Sequence, residues 1–148
     1  MKPYIVLGTY NPTSWRAWKI GRDLTRLVKE KGLEPINDIH HRHQSRAAWH
    51  NASLVAYVRR RTVRNPKASG WHQDGDLVAG SQMDNCIVTW SSNTPTEFKV
   101  GTTVYRPNKR EVVLFRNLSC LHRRPPSCPR VRWLFRQRVE APTHITLP

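Results

Sequence analysis

The sequence predicts a mainly β domain, a double-sheet jelly roll with one N-terminal helix packed on one sheet. Three observations carry this reading. From residue 54 onward, short β-rich runs alternate with turn residues, as they do in antiparallel sandwiches and barrels. Ahead of them, one segment repeats its apolar residues at helical spacing, which a strand cannot use. The 148 residues show no internal repeat and no linker-like change of composition, so 1–148 is read as a single domain with its core at about 54–140.

Taken in order, Tyr4, Ile5, Val6 and Leu7 form an opening strand. Asn11-Pro12-Thr13-Ser14 reads as a helix start, with Thr13 or Ser14 as the cap. The helix runs to about Lys31 and closes on Gly32, whose missing Cβ suits a left-handed end. Ile20, Leu24, Leu27 and Val28 share one face, whereas Arg22, Lys29 and Glu30 point elsewhere. Trp15 and Trp18 are expected to extend the buried stripe. Residues 35–51 read as a loop, and the tract His40-His41-Arg42-His43 within it as a solvated basic segment. Strands are then expected at 54–58, 71–74, 85–90, 97–100, 102–105, 111–115, 120–123 and 131–139. Eight short strands suit a jelly roll.

Charge and cysteine usage narrow the functional classes. Lys and Arg number 25 against 10 Asp and Glu, a formal charge of +15. Such an excess repels itself within a compact chain and attracts polyanions, of which nucleic acid is the commonest. Cys86, Cys120 and Cys128 contain no Cys-x-x-Cys pair, so neither a disulfide framework nor a zinc site of the usual spacing is expected. The N-terminal apolar run is too short for a secretory segment, and no stretch reaches membrane-spanning length. The expectation is a soluble, intracellular, cytoplasmic chain without a membrane partner.

The chemistry centres on Trp71-His72-Gln73-Asp74-Gly75 and on two residues much further along the chain. Residues two apart on a strand project to one face, so an imidazole at 72 and a carboxylate at 74 converge. A second histidine, His122, comes several expected strands later, and Arg132 ten positions after it. Two His and one carboxylate leave coordination positions open on a divalent ion, as a non-haem Fe(II) oxygenase requires. An Arg fork suits the distal carboxylate of a cosubstrate. Alone, each element is commonplace: a His-Asp pair beside a turn, a hydrogen-bonded strand histidine, one Arg of a basic stripe.

The order His-x-Asp, distal His, then Arg on the closing strand resembles the Fe(II)/2-oxoglutarate-dependent dioxygenase superfamily, whose fold is a double-stranded β-helix. The block Trp71-His72-Gln73-Asp74-Gly75-Asp76 is similar to the metal-binding strand of AlkB-type nucleic-acid demethylases. The block Val112-Val113-Leu114-Phe115, with His122, Arg132 and Arg136, is similar to the taurine/γ-butyrobetaine hydroxylase branch. The resemblance implies Fe(II) held by His72, Asp74 and His122, which are therefore the catalytic residues. It also implies 2-oxoglutarate as cosubstrate and O₂ as oxidant, with Arg132 on the cosubstrate's C5 carboxylate and Arg136 the runner-up. Tyr57 and Asn85 stand where many such families place a Tyr or Asn against the cosubstrate.

Between Ile39 and Gln73 no acidic residue occurs among seven Lys and Arg, including Arg59, Arg60, Arg61 and Arg64. Residues 112–139 repeat the pattern, again with seven. A nucleic acid lying across the site would meet both tracts, and Trp49, Trp71 and Trp133 stand where bases can stack. The expected activity is hydroxylation or demethylation of a nucleic-acid base. The alternatives are an oxygenase for a small anionic metabolite or protein side chain, and a non-catalytic basic nucleic-acid-binding module.

Overall fold

A computed structural model of the protein describes residues 1–36, 47–51, 54–59, 70–73, 85–93, 95–123 and 132–148. Their order is β1 (Tyr4–Thr9), α1 (Ala17–Glu30), β2 (Ala47–Asn51), β3 (Leu54–Arg59), β4 (Asn85–Ser91), β5 (Glu97–Val100), β6 (Thr103–Tyr105), β7 (Glu111–Arg116), β8 (Leu121–Arg123) and β9 (Arg132–Glu140). The described residues are mainly β, with two antiparallel sheets and one helix. The large sheet has the order β1-β7-β4-β9-β3-β2 and the small one β6-β5-β8. His72 adds an isolated antiparallel bridge to His122 of β8.

Strand alternation buries β4 and β7 of the large sheet on both faces. Val88, Trp90, Val112, Leu114, Phe135 and Val139 pack with Ile20, Leu24 and Val28 of α1. Burial of each such helix side chain stabilises by about 1.5–3 kcal/mol. The other face offers Ile87, Val113 and Phe115, which join Tyr4, Phe98 and Cys120 in a second cluster. Phe98 comes from the small sheet, and its ring centre lies 4.9 Å from those of Tyr4 and Phe115. The two sheets therefore face each other through these aromatics.

The helix stops as its sequence expects. Gly32 has φ +72°, its N–H donates to the Lys29 carbonyl, and that of Leu33 donates to the Val28 carbonyl. This double closure satisfies two carbonyls that the last turn would otherwise orphan.

Three expectations fail. The helix starts at Ala17, and the N-cap Arg16 makes no side-chain cap bond; Ser14 Oγ instead accepts from the Arg16 N–H. Trp15 consequently precedes the helix. Trp18 stands two residues before Ile20, nearly half a turn round from the buried stripe. Both tryptophans are 46% exposed. Within the segment expected to be a loop, Ala47–Asn51 is an edge strand paired with β3, and Pro35 bridges Val139. The His40-His41-Arg42-His43 tract lies outside the described residues. Among the described residues, no helix is long and apolar enough to cross a membrane.

Candidate metal centre

His72 and His122 are brought together as cross-strand neighbours. Each backbone N–H donates to the other's carbonyl, at 3.1 Å from His72 and 3.0 Å from His122. Such a pair projects its side chains to one face, and the imidazole centres are 4.6 Å apart. His122 is registered opposite Phe98 and its ring lies 4.9 Å from that of Phe115, so it points into the space between the sheets. It is buried, whereas His72 is exposed. The pair spans a gradient from the apolar interior to solvent.

Each imidazole is oriented by its own backbone. Nδ1 of His72 lies 3.0 Å from the Gly70 carbonyl oxygen, and Nδ1 of His122 lies 3.0 Å from that of Cys120. A carbonyl oxygen only accepts, so each contact places a proton on Nδ1, and in the neutral imidazole that leaves Nε2 as the atom able to donate to a metal. This is how metal-binding histidines are commonly held in one tautomer. With metal–nitrogen bonds of about 2.1 Å, two imidazoles at right angles around one ion have ring centres about 4.5 Å apart. The donor chemistry and the spacing both fit a divalent ion. The third implied ligand, Asp74, lies outside the described residues; among those described, no three His, Cys, Asp or Glu side chains form a metal cluster.

The opposite face of this segment forms a clamp. Trp71 and Arg123, the neighbours of the two histidines, stack with the guanidinium carbon 4.3 Å from the ring centre. Lys99 Nζ lies 5.6 Å from the same ring. Glu97, registered opposite Arg123, is 1% exposed. It accepts a 2.8 Å bond from Arg106 Nε and lies 3.6 Å from Arg123 Nε. Trp71 thus packs against cations on the outer side of the small sheet.

Register orders the arginines of β9. Tyr4, Phe115, Ile87 and Arg138 form one row across β1, β7, β4 and β9, and Val6, Val113, Thr89 and Arg136 form the next. Arg138 is buried and Arg136 half-buried. Both share the inter-sheet face with Ile87 and Thr89, because Phe135 and Val139 take the helix side. The Phe115 ring touches that of His122, so Arg138 stands level with the histidine pair. Arg136 is about 7 Å further along β9, and the backbone position of Arg132 about 20 Å further. Arg132 lies opposite Arg59, Tyr57 opposite Leu134 and Asn85 opposite Glu140. Arg60, Arg61 and Arg64 are outside the described residues. Sequence reasoning does not find the nearness of Arg138, because strand parity is visible in a sequence and register is not.

Of the buried thiols, Cys120 sits beside the site, and burial pushes its pKa up to about 12. Its side chain packs in the apolar cluster with Phe98 and Phe115. No protein family, no curated protein and no solved structure matches this chain.

Proposed function

We propose that the chain is an Fe(II)- and 2-oxoglutarate-dependent oxygenase with the metal held by His72, Asp74 and His122. The observation that carries the reading is the histidine pair. Two imidazoles 50 residues apart in sequence become cross-strand neighbours with the same Nδ1 tie. Packing alone does not call for one tautomer twice. The chain path supports a double-stranded β-helix. From β3 it passes to the small-sheet side at His72, then to β4, back to β5 and β6, to β7, to β8 and finally to β9.

When bound, iron and 2-oxoglutarate supply oxidation of a substrate C–H bond by O₂, releasing succinate and CO₂. The chain's own residues bind and orient. His72 and His122 present Nε2, and Asp74 adds the carboxylate two residues from His72 along the chain. Phe98 and Phe115 keep the inner side of His122 dry, which strengthens electrostatic contacts there. An Arg of β9 holds the distal carboxylate of the cosubstrate; register favours Arg136 over Arg132. The formal charge of +15 favours a base in DNA or RNA as the oxidised group.

Anaerobic Mn(II) binding followed by electron paramagnetic resonance tests the centre. One ion per chain is expected, with His72→Ala, Asp74→Ala and His122→Ala each abolishing or severely weakening binding. Stoichiometric binding retained in Asp74→Ala would remove the triad. Iron-dependent succinate formation from 2-oxoglutarate then tests the reaction, and nucleoside mass spectrometry of a mixed oligonucleotide tests the substrate.

A further inference from the structure

Two exposed tryptophans, Trp15 and Trp18, lie in one short segment and carry a cation each. Arg22 lies 5.1 Å from the Trp18 ring centre and Arg110 lies 5.4 Å from that of Trp15. With 46% of each residue accessible, the indoles keep open aromatic surface. Below Trp18, the exposed residues Arg22, Arg26 and Lys29 follow at intervals of four, four and three along α1. They form one stripe with about 6 Å of rise per four residues.

The acidic residues of the helix offset this stripe only in part, Asp23 through the charge of Arg22. Asp23 accepts hydrogen bonds from Tyr10 Oη at 2.7 Å and Lys19 Nζ at 2.9 Å, and Glu30 stands at the far end. Arg110 is fixed where it lies. It has φ 66°, a left-handed conformation uncommon for a residue with a side chain. Its guanidinium donates to the Ser92 carbonyl at 3.2 Å and to Asn11 Oδ1 at 3.3 Å.

We propose that Trp15, Trp18 and the stripe Arg22–Arg26–Lys29 of α1 dock single-stranded nucleic acid, the indoles stacking on bases and the cations on phosphates. Stacking on exposed aromatics needs unpaired bases, since a duplex keeps its own stacked. An anionic membrane fits less well. An interfacial helix inserts an apolar face, but Ile20, Leu24 and Val28 are already buried against the large sheet. The surface does not depend on the oxygenase reading, because none of its residues belongs to the proposed metal or cosubstrate set.

The test is fluorescence anisotropy of the metal-free full chain with a labelled 12-mer of deoxythymidine. Heparin, the matching duplex and phosphatidylserine vesicles serve as competitors. Trp15→Ala and Trp18→Ala are each expected to weaken oligonucleotide binding about tenfold, and Trp15→Phe and Trp18→Phe to retain most of it. Arg22→Ala and Arg26→Ala should flatten the salt dependence, by a log–log slope of about 0.7 for each phosphate no longer neutralised. Binding within twofold of the parent in a folded Trp15→Ala/Trp18→Ala double variant would overturn the proposal. So would an equal loss of heparin affinity, which reports charge without stacking, or competition by vesicles or duplex at lower concentration than by unlabelled single strand.

Discussion

The Arg123 guanidinium stacks on the Trp71 ring at 4.3 Å, on the opposite side of the small sheet from the imidazoles of His72 and His122. Each member of the outer pair is the chain neighbour of a member of the inner pair. The stack therefore ties together the same two backbone segments that the histidine bridge joins, and Glu97 holds Arg123 from behind.

The first prediction concerns this clamp. Arg123→Ala and Trp71→Ala should each weaken Mn(II) binding about tenfold, as removal of supporting residues does at other metal sites. Glu97→Ala should also lower stability by about 3 kcal/mol, because it removes the carboxylate that faces the largely buried Arg123 guanidinium. The readouts are the dissociation constant and the Mn(II) line shape, which a loss of stability alone leaves unmoved. Unchanged affinity in both Arg123→Ala and Trp71→Ala would mean that the histidine bridge holds itself.

A second prediction separates the arginines of β9. The family resemblance implies Arg132 as the partner of the proposed cosubstrate, whereas register puts Arg136 nearer the histidine pair. Truncating one partner of a bidentate Arg–carboxylate pair in a dry pocket costs about 2–5 kcal/mol. Arg136→Ala should therefore raise the 2-oxoglutarate concentration needed for half-maximal succinate formation by tenfold or more. Arg132→Ala should have the smaller effect. The reverse order would place the cosubstrate along β9 towards its start.

How much of the fold and site is legible in the sequence depends on whether the signal is local. Strands at 85–90, 97–100 and 111–115 can be read because Val, Ile and Phe cluster between turn residues, and the structure places β4, β5 and β7 there. The helix end at Gly32 is legible for the same reason. Ala47–Asn51 is not, because Ala-Ala-Trp-His-Asn contains no β-branched residue; its pairing comes from β3 beside it. Hydrophobicity alone sends Trp15 and Trp18 to the core, although phase on the helix wheel turns Trp18 outward. His72 and His122 stand out as residue types, but no local pattern encodes that their strands are neighbours. Trp71 on Arg123 and Arg138 beside the Phe115 row are consequences of register, which arises only when the sheets form.

The third prediction concerns the helix end. A Cβ added at Gly32 would lie 3.3 Å from His144 Nε2, and that nitrogen is 2.9 Å from the Lys31 carbonyl oxygen. Gly32→Ala therefore meets a left-handed backbone and a crowded imidazole together. It should destabilise by about 1–2 kcal/mol, against about 1 kcal/mol or less for His144→Ala, which gives up a single bond. Because the two sites touch, the double variant should cost less than the sum in chemical denaturation. Strict additivity would show that His144 does not feel the added methyl.

The last prediction concerns pH and is anchored on Tyr10. Its hydroxyl donates to Asp23, and burial, that bond and the carboxylate's charge all raise its pKa. Burial opposes ionisation of Asp23, but the bonds from Tyr10 and Lys19 and the charges of Lys19 and Arg22 outweigh it and lower its pKa. A raised pKa stabilises the fold fully below the unfolded value and loses that contribution as pH climbs towards the folded one. For Tyr10 the loss begins near pH 10. For Cys120, pushed from 9.0 to about 12, it begins about one unit earlier. A lowered pKa works in the opposite sense: the Asp23 contribution is present above about pH 4 and fades as pH falls through the folded value. Tyr10→Phe should therefore soften both limbs of a stability–pH curve, removing part of the alkaline decline and part of the acid decline that begins near about pH 4. Cys120→Ala should soften only the alkaline limb. Urea denaturation midpoints from about pH 3 to about pH 11 provide the measurement. An acid limb that stays fixed in Tyr10→Phe would show that Lys19, and not the tyrosine hydroxyl, sets the ionisation of Asp23.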